Sequence, residues 1–343
     1  MLSSLSLKAI LSKEKAFEFA NNSSIAGSDS LKYYWYFGDG NSSTSISTKH
    51  SYSNADTFIV KLVSFSQHSC YDSIEKEIYV HPDPVAKFSV NDSQQCFNGH
   101  RFTPNNQSTI KNGTLSFQWS FGNDFTSNSQ NPDWVYGSSG NYECTLIASS
   151  SFGCADTTSK MVEVFEEPNL NFSVNNYEQC LENNRIEITN TSSINSSDTL
   201  RYDWYFDTTI VQNKQNPSFS FPSFGSKIIQ LIGSTSSGCI DTLVDFVTLY
   251  PHPTSNFSIN DSIQCLVNND FIFQSESVIP FGSQSEYWSF GDGSFATQQI
   301  SRHSYKSAGI YKVELVSISD FGCTDTIDKV IRTTENPAIN FVS

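Results

Sequence analysis

Basic residues are scarce in this chain: 20 Lys and Arg stand against 35 Asp and Glu, for a net charge of −15. Nucleic-acid binding needs clustered Lys and Arg against phosphate, so no nucleic-acid partner is expected. The same charge disfavours an anionic membrane surface. Long apolar runs are missing too. Nothing approaches the ~20 residues of a transmembrane helix, so no membrane insertion is expected in this segment. There is no Gly-x-Ser-x-Gly, no phosphate-binding loop and no dinucleotide fingerprint. There is no Cys-x-x-Cys pair at zinc spacing, and no segment carries a convincing helical period. These gaps exclude the familiar enzyme classes and leave no cofactor to expect.

What is present is rhythm. Trp35, Trp119, Trp204 and Trp288 are separated by 84, 85 and 84 residues. Cys70, Cys154, Cys239 and Cys323 keep the same intervals, as do Pro84, Pro168, Pro253 and Pro337. Three residue types sharing one period mean one module copied four times. The boundaries fall at 1–84, 85–168, 169–253 and 254–337, with 338–343 opening a further module. The first module is incomplete at its N-terminal side. Met1–Ser12 is mildly apolar with one Lys8 and reads as a poor signal peptide. Both ends therefore look cut from a longer array.

Each module is small and aromatic-rich, with 14% Phe, Trp and Tyr overall. In the fourth, Asn256-Phe257-Ser258-Ile259 and Phe271-Ile272-Phe273 read as strands. Tyr287-Trp288-Ser289-Phe290 runs into the turn Gly291-Asp292-Gly293, where Gly tolerates positive φ and Asp bonds its own backbone. Tyr311, Val313 and Leu315 form a period-two strand. Phe321-Gly322-Cys323 turns into a last strand from Thr326 to Arg332. Seven or so short strands per module read as four tandem immunoglobulin-like β-sandwiches in an extended array, all-β.

The order of these pieces resembles the PKD domain. The residues that carry the likeness are Trp35-Tyr36-Phe37-Gly38-Asp39-Gly40, then His50 and Tyr52, then Phe58 to Leu62. Trp288 to Gly293, His303, Tyr305 and Gly309 to Val313 match better still. The second and third modules have drifted: Phe121-Gly122-Asn123-Asp124 and Phe206-Asp207-Thr208-Thr209 hold the turn, and Trp134 and Phe219 replace the histidine. The added cysteines and the Gly-Cys-x-Asp pattern look like the variety common in surface proteins of Bacteroidota. The resemblance implies extracellular spacer, adhesion or appended binding modules, not a catalytic domain.

Among the eight cysteines, Cys96, Cys180 and Cys265 precede the second strand, and four others sit at the last hairpin. Two pairings fit the spacing. Within modules, Cys96–Cys154, Cys180–Cys239 and Cys265–Cys323 lie 58, 59 and 58 apart; across linkers, Cys70–Cys96, Cys154–Cys180 and Cys239–Cys265 lie 26 apart. The intramodule scheme is favoured, because such a loop stabilises a small domain by about 4 kcal/mol in the chain-entropy model. It must overcome one objection: the two turns normally lie at opposite poles, roughly 20 Å apart for six-residue strands. If neither pairing holds, the thiols are reduced. Leu11 stands about where the first module's partner cysteine is missing. Cys144 aligns with Val60 and Val313 as a small buried hydrophobe.

Other candidates carry bland readings beside sharp ones. Asp39 and Asp292 are weak calcium candidates, though a turn aspartate bonding backbone explains them and the dense carboxylate spacing of a calcium loop is lacking. His50 and His303 read as polar strand residues. The periodic tryptophans read as core. Trp134, unique to the second module, is the surface candidate for stacking on a sugar. Asp followed by Ser or Thr marks Ser73, Thr157, Thr242 and Thr326 as O-glycosylation candidates, against the reading that Asp caps the turn. The function these features point to is a non-catalytic extracellular or cell-surface array, acting as a spacer or adhesin stalk. Its partners would be polysaccharide or other surface proteins. Carbohydrate-binding accessory modules of a larger secreted hydrolase are the alternative.

Overall fold

The computed structural model describes residues 16–27 and 29–339, and every regular element among them is a β-strand. Met1–Ser12, with Leu11, and residues 340–343 of the expected further module lie outside the described residues. The chain divides into two compact units between Glu166 and Glu167. Each unit holds two hydrophobic cores, and each core belongs to one repeat.

In the second unit the fourth repeat shows the plan. Phe257–Ile259, Phe271–Ser275 and Ile300–His303 make a three-stranded antiparallel sheet. Ile263–Cys265, Thr324–Thr334, Gly309–Ser319, Gln284–Ser289 and Phe295–Ala296, in that order, make the facing sheet. Alternation drives this arrangement: Gly309–Ser319 buries every second residue along most of its length, with Val313 and Leu315 fully inside. Phe257, Phe271, Phe273, Trp288, Phe290 and Tyr305 fill the space between the sheets. The third repeat and the second repeat, in the first unit, follow the same plan. This is the immunoglobulin-like sandwich in tandem.

The first strand of each full repeat changes sheets. Phe257–Ile259 pairs antiparallel with Phe271–Ser275, and the chain then crosses so that Ile263–Cys265 runs parallel to Thr324–Thr334. Asn260 and Asp261 make the crossing: Asn260 holds the Ile272 amide and the Asp270 carbonyl, and Asp261 caps the Ile263 amide. The result puts Cys265 opposite Thr334, at the pole where the chain leaves the repeat. Cys180 likewise lies opposite Tyr250, and Cys96 opposite Phe165.

The final hairpin strands are longer than the six residues assumed from sequence. Gly309–Ser319 and Thr324–Thr334 have 11 residues each, a span of about 35 Å. The hairpin tip at Cys323 therefore sits at the pole where the chain enters the repeat.

Trp119, Trp204 and Trp288 are fully buried and Trp35 nearly so. Each indole N–H donates to the carbonyl ten residues on: Ser45, Ser129, Lys214 and Gln298, at 2.8–3.1 Å. Phe88, Phe172 and Phe257 meet three of these indoles edge-on. No described residue plays that part for Trp35. There a cleft of about 870 Å³ opens between Phe19, Trp35, Leu62 and Ile78.

One buried pin was not visible in the sequence. The Asn184 and Asn269 side chains bridge the loop before the second strand to Phe221 and Tyr305. In the second repeat His100 does the same work. Its Nε2 accepts the Tyr136 amide, so Nδ1 donates to the Phe97 carbonyl.

Candidate functional site

The turn after the tryptophan strand is the first place to look for chemistry. Gly38 and Gly291 adopt positive φ, and a Cβ on either would fall under 3 Å from the carbonyl of Ile59 or Lys312. That close approach places the next residue, Asp39 or Asp292, against a histidine eleven residues on. His50 Nε2 lies 2.7 Å from Asp39 Oδ2, and His303 Nε2 lies 2.8 Å from Asp292 Oδ2. The other carboxylate oxygen accepts the amide of Asn41 or Ser294. Burial raises each carboxyl, but the hydrogen bonds from histidine and from the turn outweigh it and leave both below the usual value.

The imidazoles are also packed. His50 stacks on Phe37 at 4.0 Å and His303 on Phe290 at 4.4 Å. Tyr52 and Tyr305 stand edge-on to them and donate to the Phe37 and Phe290 carbonyls. The pair is a closed internal link: both carboxylate oxygens are engaged, and no described hydroxyl or thiol stands in line as a nucleophile. The Asp–His pairing is a feature that sequence spacing could have flagged, since both members occur, and both are absent, in the same repeats.

Trp134 corrects an expectation. It is only 4% exposed, stacked on Phe102 at 5.4 Å and tilted against Phe121 at 4.4 Å. It cannot offer a face to a sugar. It occupies the place of His50 and His303, packing over the phenylalanine before the turn, and Phe219 does the same over Phe206 at 4.6 Å.

The cysteines require a second correction. Cys180 is bonded to Cys323, with Cα atoms 5.6 Å apart. Neither spacing scheme predicted this. Cys180 cannot reach Cys239, nor Cys265 reach Cys323, because each such pair is separated by the full length of an 11-residue strand, about 35 Å. The trailing pole of one repeat meets the leading pole of the next, and the bond spans that junction. Cys144 is fully buried, and burial pushes its thiol up to about 12. Cys70 and Cys265 are exposed thiols.

The junction in the second unit has two further parts. Tyr250 stacks on Phe321 at 3.9 Å, with ring planes 6° apart. Asp325 accepts the Ser255 amide on one oxygen and the Thr326 amide on the other, while Ser255 Oγ donates to the Asp325 carbonyl. In the first unit His81 stacks on Phe152 at 4.0 Å, and Asp156 accepts the Ala86 amide. The aspartate of Gly-Cys-x-Asp therefore clasps the incoming linker. The hydroxyl-bearing residues beside it, Ser73, Thr157, Thr242 and Thr326, are all exposed.

Outward-facing aromatics gather on the first repeat. Tyr34, Tyr36 and Tyr71 are exposed, with Phe65 between, Tyr34 and Tyr71 each 5.6–5.7 Å from the Phe65 ring. Nothing in the sequence rhythm singled them out, because the outer face of a strand is free to vary.

Residues 5–80, 81–164 and 267–334 match the family model of the PKD domain. The PKD1 domain of the Vibrio cholerae metalloprotease PrtV is similar at 31% identity, covering 24% of this chain and 96% of that one, with a TM-score of 0.22. The PKD1 domain of Vibrio anguillarum Epp is similar at 30% identity, covering 24% and 93%, with a TM-score of 0.22. The N-terminal eight immunoglobulin domains of Down Syndrome Cell Adhesion Molecule align at 11% identity over 94% of this chain and 45% of that chain, with a TM-score of 0.49.

Proposed function

We infer the function from one premise: the chain belongs to the PKD domain family. Its repeats form a non-catalytic extracellular array that serves as a spacer or adhesion stalk. Each repeat is one module, with boundaries near residues 84, 168 and 253. The observation that carries this reading is the junction between the third and fourth repeats. There a disulfide and a ring stack fix two neighbours at two points, and an aspartate clasp within the fourth repeat holds its incoming linker. A disulfide across a junction adds little to either core but removes rotation between them, which suits a spacer and has no use in catalysis. Disulfides also fit an oxidising, extracellular setting. The cysteine-bearing Gly-Cys-x-Asp hairpin favours the surface-protein variety of the family, as in Bacteroidota. The exposed hydroxyls of Ser73, Thr157, Thr242 and Thr326 are O-glycosylation acceptors in this reading. Asp39 and Asp292 serve to brace the turn.

Small-angle scattering of the full chain tests it. The profile should report a fixed arrangement that loosens in Cys180→Ser/Cys323→Ser. Freely tumbling beads in the wild type would remove the spacer reading.

A second reading has one observation in its favour. The Tyr34, Tyr36, Phe65 and Tyr71 face is the aromatic platform that carbohydrate-binding accessory modules of a secreted hydrolase require. Polysaccharide binding lost in Tyr34→Ala/Tyr36→Ala would select it.

A further inference from the structure

We propose that the fourth repeat binds one alkali-metal cation inside its sandwich, at a site of oxygen atoms around Glu286. Every residue of the site belongs to that repeat. It is separate from the junctions and from the turn aspartates, and it does not depend on the array reading.

The position is one that the other repeats fill with apolar side chains. Two residues before the periodic tryptophan stand Tyr33, Phe117 and Tyr202, each packed against its own core. Four residues before it, on the same face of the strand, stand Leu31, Leu115 and Leu200. In the fourth repeat these places hold Glu286 and Gln284. The pairing around them is unchanged. Glu286 lies opposite Ser317 as Tyr33 lies opposite Ser64, Phe117 opposite Ala148 and Tyr202 opposite Gly233. Ser317 is fully buried, and Ser275 and Ser319 nearly so. A carboxylate and an amide therefore replace a ring and a leucine at one end of a core.

The oxygens there are only half engaged. Glu286 Oε1 accepts from Ser275 Oγ at 2.8 Å and from Gln284 Nε2 at 3.3 Å. Glu286 Oε2 and Gln284 Oε1 are both closed off from solvent, and neither has a hydrogen-bond partner. Three nearby hydroxyls have no proton left for them. Ser275 donates to Glu286, Ser317 donates to Ser277 Oγ at 2.8 Å, and Ser277 donates to the Asn256 carbonyl at 3.3 Å. The cluster is rich in acceptors and short of positive charge.

Charge decides what kind of ligand fits. A water can donate to both orphan oxygens, but it leaves the carboxylate uncompensated, and buried charges persist when they are paired. The two hydrogen bonds to Glu286 come from neutral groups. Carboxylate, amide and hydroxyl oxygens are hard donors, which disfavours soft metals and suits alkali and alkaline-earth ions. The single carboxylate chooses between those two. A monovalent ion brings the site to neutrality, whereas a divalent ion leaves net positive charge among buried groups.

The test is hydrogen exchange of the full chain, with sodium chloride as the probe and choline chloride making up a constant ionic strength, so that screening does not change. Protection over residues 257–334 should rise with sodium, approaching tenfold for each tenfold increase in the ion above its dissociation constant. Protection over residues 172–250, the third repeat, should stay level. Glu286→Gln keeps the shape and removes the charge, and should abolish the sodium dependence. If that variant does not fold, Gln284→Leu/Glu286→Tyr gives the same readout, with the pair that the first repeat carries opposite Ser66 and Ser64. A fourth repeat as indifferent to sodium as the third overturns the proposal. So does a sodium dependence that survives either variant. Calcium protecting the wild-type fourth repeat where sodium does not overturns it too, because a monovalent ion is what the charge of the site requires.

Discussion

The first and fourth repeats close the turn after the tryptophan strand with Gly-Asp-Gly and a histidine, and the second and third close it with rings. Phe37 and Phe290 carry a stacked imidazole tied to an aspartate. Phe121 carries Trp134, Phe206 carries Phe219, and the aspartate position holds Asn123 or Thr208. The flat ring over the phenylalanine is common to all four. What varies is whether its edge is polar, and the acid appears only where it is. A partly buried carboxylate without a hydrogen-bond partner is costly, so the two residues are gained and lost as a unit. The turn is therefore a packing device with an optional polar link.

The largest effect expected from this comparison is at Trp134. If the ring over the phenylalanine is core in the drifted repeats, Trp134→Ala should cost the second repeat about 3–5 kcal/mol. His50→Ala at the same place should cost the first repeat nearer 1 kcal/mol, the scale of one hydrogen bond. Hydrogen exchange read separately over residues 88–164 and 17–80 can assign each loss, since four cores in one chain need not unfold together. A Trp134→Ala protein with unchanged protection would make that residue a surface ring after all. Trp134→His with Asn123→Asp should recover part of the loss that Trp134→His alone incurs, and this double-mutant cycle would show the coupling directly.

The next effect is in the backbone. Gly291→Ala would put a Cβ 2.6 Å from the Lys312 carbonyl at φ +79°, while Gly122→Ala meets nothing closer than 3.1 Å. Gly291→Ala should cost about 1–3 kcal/mol, and Gly122→Ala less. The third repeat already carries Asp207 there, at φ 49°. Equal losses at the two glycines would mean that the turns are equally tight, and that the Asp–His link has no part in drawing the strands together.

Much of this was legible in the sequence, for definite reasons. The tryptophan rhythm and the alternation at Tyr311, Val313 and Leu315 fix repeats and sandwiches, because a period of two admits one buried face. The disulfide was not legible as read. Spacing says how far apart two cysteines are along the chain, not at which pole each stands. The pole depends on Ile263–Cys265 changing sheets and running parallel to Thr324–Thr334. A three-residue parallel strand leaves no mark in hydrophobic pattern. Trp134 was readable but misread. It lies two residues before Tyr136, as His50 lies two before Tyr52, so parity already put it on the buried side. The exposed Tyr34, Tyr36 and Tyr71 face was silent, because no periodic rule governs an outer surface.

The smallest effect is also the most selective. Asp39 and Asp292 titrate below the ordinary carboxyl value of 3.8. A carboxyl whose value is lowered on folding adds stability that is complete above 3.8 and is lost as pH falls through the lower folded value. The first and fourth repeats should therefore lose on the order of 1 kcal/mol each between about pH 4 and pH 2, the worth of a charge-assisted hydrogen bond in a partly exposed site. The second and third repeats carry Asn123 and Thr208 and have no such loss at this turn. Asp292→Asn should flatten the acid limb of the fourth repeat while leaving its stability at pH 2 unchanged, because the protonated acid and the amide are then equivalent partners for His303. Acid limbs of equal slope in all four repeats, followed by hydrogen exchange, would show that carboxylates elsewhere dominate and that the turn's polar link is energetically idle.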